Sequence, residues 1–162
     1  MATKTRKAKL QAHSFGKLTV AVPPKWVDNS IITFLGPAGG ARTRPNVVLS
    51  RQMVSDRVVL GQYADAQRAS LLDAGLADLE VIDEGPLTLD GRKLYRVRFA
   101  WTRRDPGPDG STIESRVRQE QYYSIEREGG LALTFTFTCD ADEYEGLKET
   151  FEQIVLDSRV RV

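Results

Sequence analysis

Histidine and cysteine are nearly missing from this chain: its 162 residues include one of each, His13 and Cys139. A lone thiol cannot form an internal disulfide, and it fits a reducing compartment, so the cytoplasm is the expected location. A lone imidazole beside a basic N-terminal run cannot build a Ser-His-Asp arrangement or a His-based zinc site. Long apolar runs are missing as well; nothing approaches the roughly 18 residues needed to span a bilayer, so no direct membrane insertion is expected. The basic stretch from Met1 to Gln11, with Lys4, Arg6, Lys7 and Lys9, has no apolar segment behind it and does not read as a secretory signal. Residues 1–12 are expected to form a solvated tail. An excess of one charge is missing too, with 23 Lys and Arg against 22 acids and a formal charge of +1. That balance removes the bulk electrostatic reason to expect nucleic acid as a partner.

Motifs for chemistry are equally sparse. Gly36-Pro-Ala-Gly-Gly40 is glycine-rich but lacks the Lys-Ser/Thr of a phosphate loop, and a plain turn accounts for it. Asp140, Asp142, Glu143 and Glu145 crowd the start of a helix, where the dipole favours acids, and they lack the ligand alternation of a calcium loop. Arg42, Arg44, Arg103 and Arg104 have no aromatic interleaving of the kind a nucleic-acid platform uses. The expectation is a protein without catalytic residues, metal or cofactor.

What is present is an ordinary globular composition, 41% hydrophobic and 28% charged, enough for one domain over residues 13–162 with a substantial core. Leu18–Val22 reads as a strand stopped by Pro23 and Pro24. Trp26 follows in a turn as a core anchor, and Ile31–Leu35 resumes an extended run. Gly36–Pro45 must be a loop, and Asn46–Gln52 is a third strand. Leu60, Tyr63, Ala64, Gln67, Leu71 and Ala74 then recur at helical spacing, which predicts a helix over Asp56–Ala74, with Asp56 as N-cap and Gly75 as its stop. Leu79–Glu84 and a short run up to Asp90-Gly91, a dipeptide of strong hairpin preference, lead into Lys93–Thr102. The turn Asp105–Gly110 precedes a long strand over Ser111–Ile125, and Glu128-Gly129-Gly130 turns into Leu131–Thr138. Asp140 and Glu143 have capping-box spacing, ahead of a closing helix striped by Tyr144, Leu147, Phe151, Ile154 and Val155. The fold class is α+β: a twisted antiparallel β-sheet with both helices packed on one face.

Strand parity separates the two faces. In the last strand Leu131, Leu133, Phe135 and Phe137 share one side, the expected cover for the helices, while Ala132, Thr134, Thr136 and Thr138 share the other. In the preceding strand Glu114, Arg116, Arg118 and Glu120 are charged, whereas Ile113, Ser115, Val117, Gln119, Gln121 and Tyr123 are not. A solvated face takes Lys and Glu freely, so an uncharged strip of Ser, Thr and Gln indicates a half-dry surface. Either these groups satisfy one another, or they line a site for a mostly apolar partner. Parity within a strand does not say whether the Thr and Gln strips share a face.

The ordered set Val22-Pro-Pro-Lys-Trp26, Asp28-Asn-Ser30-Ile-Ile-Thr-Phe34, Asn46-Val-Val-Leu-Ser-Arg51, Tyr63-x-x-x-Gln67, Leu89-Asp-Gly91, Phe99-Ala-Trp101 and Arg118-Gln119 resembles the DcrB-like proteins. The resemblance runs from Phe15 to Ser158 and is closer to the Eag chaperones that accompany type VI secretion effectors. It implies a PsbP-like α/β sandwich, paired as a homodimer, that holds the N-terminal transmembrane segments of an effector before export. Carried over by position, the binding residues fall on Ile31 or Thr33, Ser50, Gln67, and Gln119 or Gln121; a groove that adds Val48 and Val117 to them would imitate a neighbouring helix. The turn Glu126–Gly130 and the extended Asp105–Gly110 turn depart from the family pattern, so which glutamine corresponds stays open. The alternative keeps the fold and changes the ligand, to a soluble folded partner. A more distant one is a small enzyme using Ser50 or a carboxylate pair.

Overall fold

A computed structural model of the chain describes residues 11–15, 18–22, 30–126 and 130–158. In chain order its elements are β1 (Gln11–Phe15), β2 (Leu18–Val22), β3 (Ile31–Leu35), β4 (Asn46–Met53), α1 (Leu60–Leu72), β5 (Ala77–Leu89), β6 (Arg92–Pro106), β7 (Thr112–Glu126), β8 (Leu131–Asp140) and α2 (Tyr144–Asp157). Strands β1 and β2 form a two-stranded ladder, so Gln11 and Ala12, placed in the tail by the sequence reading, belong to a strand. Trp26 and the turn residues 128 and 129 lie outside the described residues.

The remaining strands form one antiparallel sheet in the order β3-β4-β8-β7-β6-β5. Local chemistry sets its turns. Asp90 and Gly91 both take positive φ, 48° and 74°, as a two-residue turn between twisted strands requires. It closes a β5 that runs unbroken over Ala77–Leu89 where two short runs were expected. Gly130 also has positive φ, and a Cβ there would stand 2.6 Å from the Val54 carbonyl oxygen; only glycine lets the chain enter β8 so close to the end of β4.

The helices do not share a face. Helix α2 packs on the side of the sheet that carries Phe137, whose ring stacks on Phe151 at 4.7 Å between centroids. Val47, Leu94, Tyr122, Phe135, Tyr144 and Val155 complete that core. Helix α1 packs on the other side, with Tyr63, Ala64 and Leu71 against Val97, Phe99, Tyr123 and Ala132. The reason lies in β6 and β7: Val97, Phe99 and Tyr123 give the second face an apolar floor of its own, so each helix has a platform. The α+β class with its antiparallel sheet stands; the single-sided placement of the helices does not.

Both helix starts also differ from their sequence signals. Helix α1 begins at Leu60 after an extended Val59. Asp56 sits four residues upstream, where its carboxylate accepts the Ser55 hydroxyl at 3.2 Å. Glu143 precedes α2 without a side-chain cap, because the Asp140 carboxylate is turned to the β3–β4 loop, accepting the N–H of Arg42 at 2.8 Å and of Thr43 at 3.0 Å. At the far end of α2, Arg92 donates to the carbonyls of Val155 and Ser158 at 2.9 and 3.1 Å, a cation where the helix dipole favours one.

Under α2 lies a polar knot. Glu120, 2% exposed, accepts the hydroxyls of Tyr122 at 2.6 Å and Tyr144 at 2.7 Å. The Arg118 guanidinium stacks over the Tyr144 ring at 4.5 Å. A buried carboxylate is tolerable only when its lone pairs are bonded in this way.

Candidate partner-binding face

The ladder register answers the question parity leaves open. Gln119 pairs with Thr138, and Gln121 with Thr136. Across the next ladder Thr138 pairs with Asn46, Thr136 with Val48 and Thr134 with Ser50. At the sheet edge Thr33 pairs with Val48 and Ile31 with Ser50. Directly paired residues point to the same side of a sheet. The Thr strip and the Gln strip therefore lie side by side, with Ile31, Thr33, Val48 and Ser50 continuing the surface to its edge.

This is the face that α1 covers in part. Tyr63 reaches down from the helix, and its hydroxyl lies 3.2 Å from Thr134 Oγ1. Gln67 follows one turn later on the same helical side as Tyr63 and Leu71, half-buried, and forms part of the wall. At the opposite end Asp140 and Arg103 grip the loop of residues 36–45. Arg103 donates to Thr43 Oγ1 at 3.1 Å and to the Arg42 carbonyl at 3.2 Å. Burial would push the Asp140 carboxyl up, but the hydrogen bonds from Thr43 and Arg42 and the nearby Arg103 charge hold it below the usual range.

Between helix and loop the surface is open. Ile31 is 64% exposed and Leu35 57%; Thr33 is exposed, and Val48, Ser50, Gln119, Gln121, Thr136 and Thr138 are half-buried. Val117 differs from its expected role. It is fully buried, at 0%, next to Asp140 where the loop crosses, so it backs the face and does not touch its surface.

The polar groups here do not satisfy one another. Gln121 Oε1 accepts the Tyr123 hydroxyl and Thr134 meets Tyr63. Among the described residues the side chains of Thr33, Ser50, Gln67, Gln119, Thr136 and Thr138 make no hydrogen bond. No formal charge occurs on this side of β3, β4, β7 or β8 between Ile31 and Thr138. The opposite side carries Arg96, Arg98 and Glu120, tied with Asp83 into ion pairs, and Arg118, stacked on Tyr144. The sequence reading missed Leu35 and Asn46, which share the parity of Thr33 and Val48, and named Tyr63 and Tyr123 without seeing that they stand behind the polar strip. Tyr123 has the parity of Gln119 and Gln121, and Tyr63 lies one turn before Gln67; those spacings were the available signal.

Cys139 is buried, at 0%, and burial pushes its thiol up to about 12, which suppresses the thiolate. No group of His, Cys, Asp or Glu suited to a metal occurs among the described residues. Among them, too, no helix is long and apolar enough to cross a membrane.

The architecture is thus an α+β sandwich with one open, uncharged sheet face. Residues 17–157 match the DcrB family, and the chain belongs to it. Among curated proteins none matches this sequence. Among solved structures it resembles the Pseudomonas aeruginosa protein PA94, at 18% identity and a TM-score of 0.67, over 94% of this chain and 98% of that one. It also resembles CyanoP, the cyanobacterial PsbP of Synechocystis sp. PCC 6803, at 14% identity and a TM-score of 0.50, over 99% and 98% of the two chains. At these identities the likeness is one of fold.

Proposed function

We propose that this DcrB-family protein is an effector-associated chaperone of the Eag type, which shields the apolar N-terminal transmembrane helices of a type VI secretion effector in the cytoplasm until export. The observation that carries this reading is the shared, uncharged surface formed by Ile31, Thr33, Val48, Ser50, Gln119, Gln121, Thr136 and Thr138, whose polar side chains, Gln121 apart, make no hydrogen bond among the described residues.

The physics suits such a ligand. A transmembrane helix carries about 20 apolar residues, each worth roughly 1.5–3 kcal/mol when fully buried, so in water it aggregates. Its backbone is already bonded internally. It needs apolar contact and a few weak polar ones, and Ser, Thr and Gln provide these between membrane helices at about 1 kcal/mol each. A formal charge on the chaperone would have to be desolvated at a far higher cost. From Thr134 under α1 to Asp140 under the loop, β8 runs about 20 Å, which leaves room for a helix about 10 Å across. Two copies paired as a homodimer would hold two such helices.

The experiment is co-expression with a carrier protein bearing an effector's N-terminal apolar segment. The segment should stay soluble in complex, and Ser50→Ala with Gln119→Ala should weaken the complex without lowering Tm. Capture of a folded, soluble partner at this face, with no retention of apolar segments, would overturn the reading in favour of a docking module for soluble proteins.

A further inference from the structure

Gln121 and Gln119 are two residues apart on β7 and face the same way, yet they are not equivalent. Gln121 is held from behind. The Tyr123 hydroxyl donates to its Oε1, and Tyr123 is itself immobilised: its side chain is fully buried, edge-on to Tyr63 at 5.9 Å and 83°, in a setting of Val97, Phe99 and Ala132. Among the described residues the hydroxyl makes no other hydrogen bond. A Gln121 amide turned end for end would leave the proton unbonded in an apolar site, a costly arrangement. Burial also pushes the Tyr123 hydroxyl above its ordinary range, so it remains a donor at any physiological pH. The Gln121 amide nitrogen makes no hydrogen bond among the described residues.

We infer that Tyr123 is a positioning residue that fixes Gln121 as a hydrogen-bond donor toward the partner, so that an apolar helix is read through an acceptor oxygen at that level. This rests on the reading of the face given above. The polarity matches what such a helix can offer. Its backbone N–H groups are spent within the helix, whereas each carbonyl keeps a second lone pair. A Ser or Thr hydroxyl bonded back to its own helix likewise presents an oxygen outward. Among the described residues Gln119 has no partner behind it and can turn either end outward; Gln121 cannot. The recognised segment should therefore carry a small or hydroxyl residue where it crosses Gln121, leaving an oxygen accessible.

Two Lys-flanked Leu-Ala helices of about 20 residues, one with a central serine and one with alanine in its place, test this. In the wild-type protein the Gln121 side-chain amide protons, followed by NMR, should shift on adding the serine helix and much less with the alanine helix. Tyr123→Phe should leave Tm near wild type, free the Gln121 amide to rotate, and weaken binding of the serine helix by about fivefold, the scale of one interhelical hydrogen bond. In a Gln121→Ala background the same change should have no further effect. Equal shifts with both helices, or an undiminished Tyr123→Phe effect in the Gln121→Ala background, would overturn the inference. Failure of the wild-type protein to bind either helix would instead count against the chaperone reading. The rigidity of the Gln121 amide in the free protein, lost in Tyr123→Phe, tests the positioning independently of any ligand.

Discussion

Gln119 stands directly opposite Thr138 across the β7–β8 ladder, and neither side chain has a hydrogen-bond partner among the described residues. Two uncharged polar groups held side by side, half-exposed and unpaired, are what a surface prepared for an apolar partner requires. They are also sensitive to charge. Thr136→Lys should abolish retention of an apolar segment by placing an ammonium where water must leave. The folded protein should lose about 1 kcal/mol, the ordinary cost of a point substitution, since Thr136 is half-buried and outside the core. Co-purification and thermal unfolding of the same sample check both halves.

The opposite face should answer only to stability. Phe151 joins α2 to the sheet through Phe137, and Phe151→Ala should cost about 3–5 kcal/mol, read as a lower denaturant midpoint. Segment binding measured well below that midpoint should be unchanged.

Tyr144→Phe removes one of the two hydroxyls bonded to the buried Glu120. A charge-assisted bond is lost and an acceptor is left unmet, at a cost of about 1–3 kcal/mol. Adding Glu120→Gln should recover part of it, because a neutral amide is cheaper to leave underbonded; urea unfolding of the single and double variants measures the recovery.

Asp140 carries a pH signature. Its folded carboxyl lies below the usual range, so its contribution is present above the unfolded value of about 3.9 and is lost as pH falls through the folded one. Asp140→Ala should be less stable at pH 7 by about 2 kcal/mol. The gap to wild type should close as the pH is lowered below about 4, which unfolding curves across the acid range would record. A gap independent of pH would show that the ionised carboxylate is not what holds the loop.

These residues also mark how far the sequence could be read. Alternation within β7 and β8 separated Gln119 and Gln121 from Glu120, and Thr134 and Thr136 from Phe135, since side-chain direction has a period of two. Which strip lay beside which depended on the β7–β8 register, which no pattern within either strand reveals. The helices were assigned to one face because Phe135 and Phe137 form so plain a platform; Val97, Phe99 and Tyr123 form a second one, visible only when β6 and β7 are aligned. Asp140 and Glu143 have capping spacing, but the Arg42 and Thr43 N–H groups, nearly a hundred residues away in the chain, claim the carboxylate. Val117 had the right parity and the wrong exposure, because parity gives a side chain's direction and not what packs over it.

The central claim is that the face bearing Thr136 and Gln119 receives an apolar helix. Hydrogen exchange and NMR shifts mapped with a single Leu-Ala helix bound test it most directly. The account predicts protection along β4 and β8 and shifts at Val48, Thr136, Thr138 and Gln119, with the Arg96, Arg98 and Glu120 side unaffected. Perturbation confined to that charged side, or none on either, would contradict it.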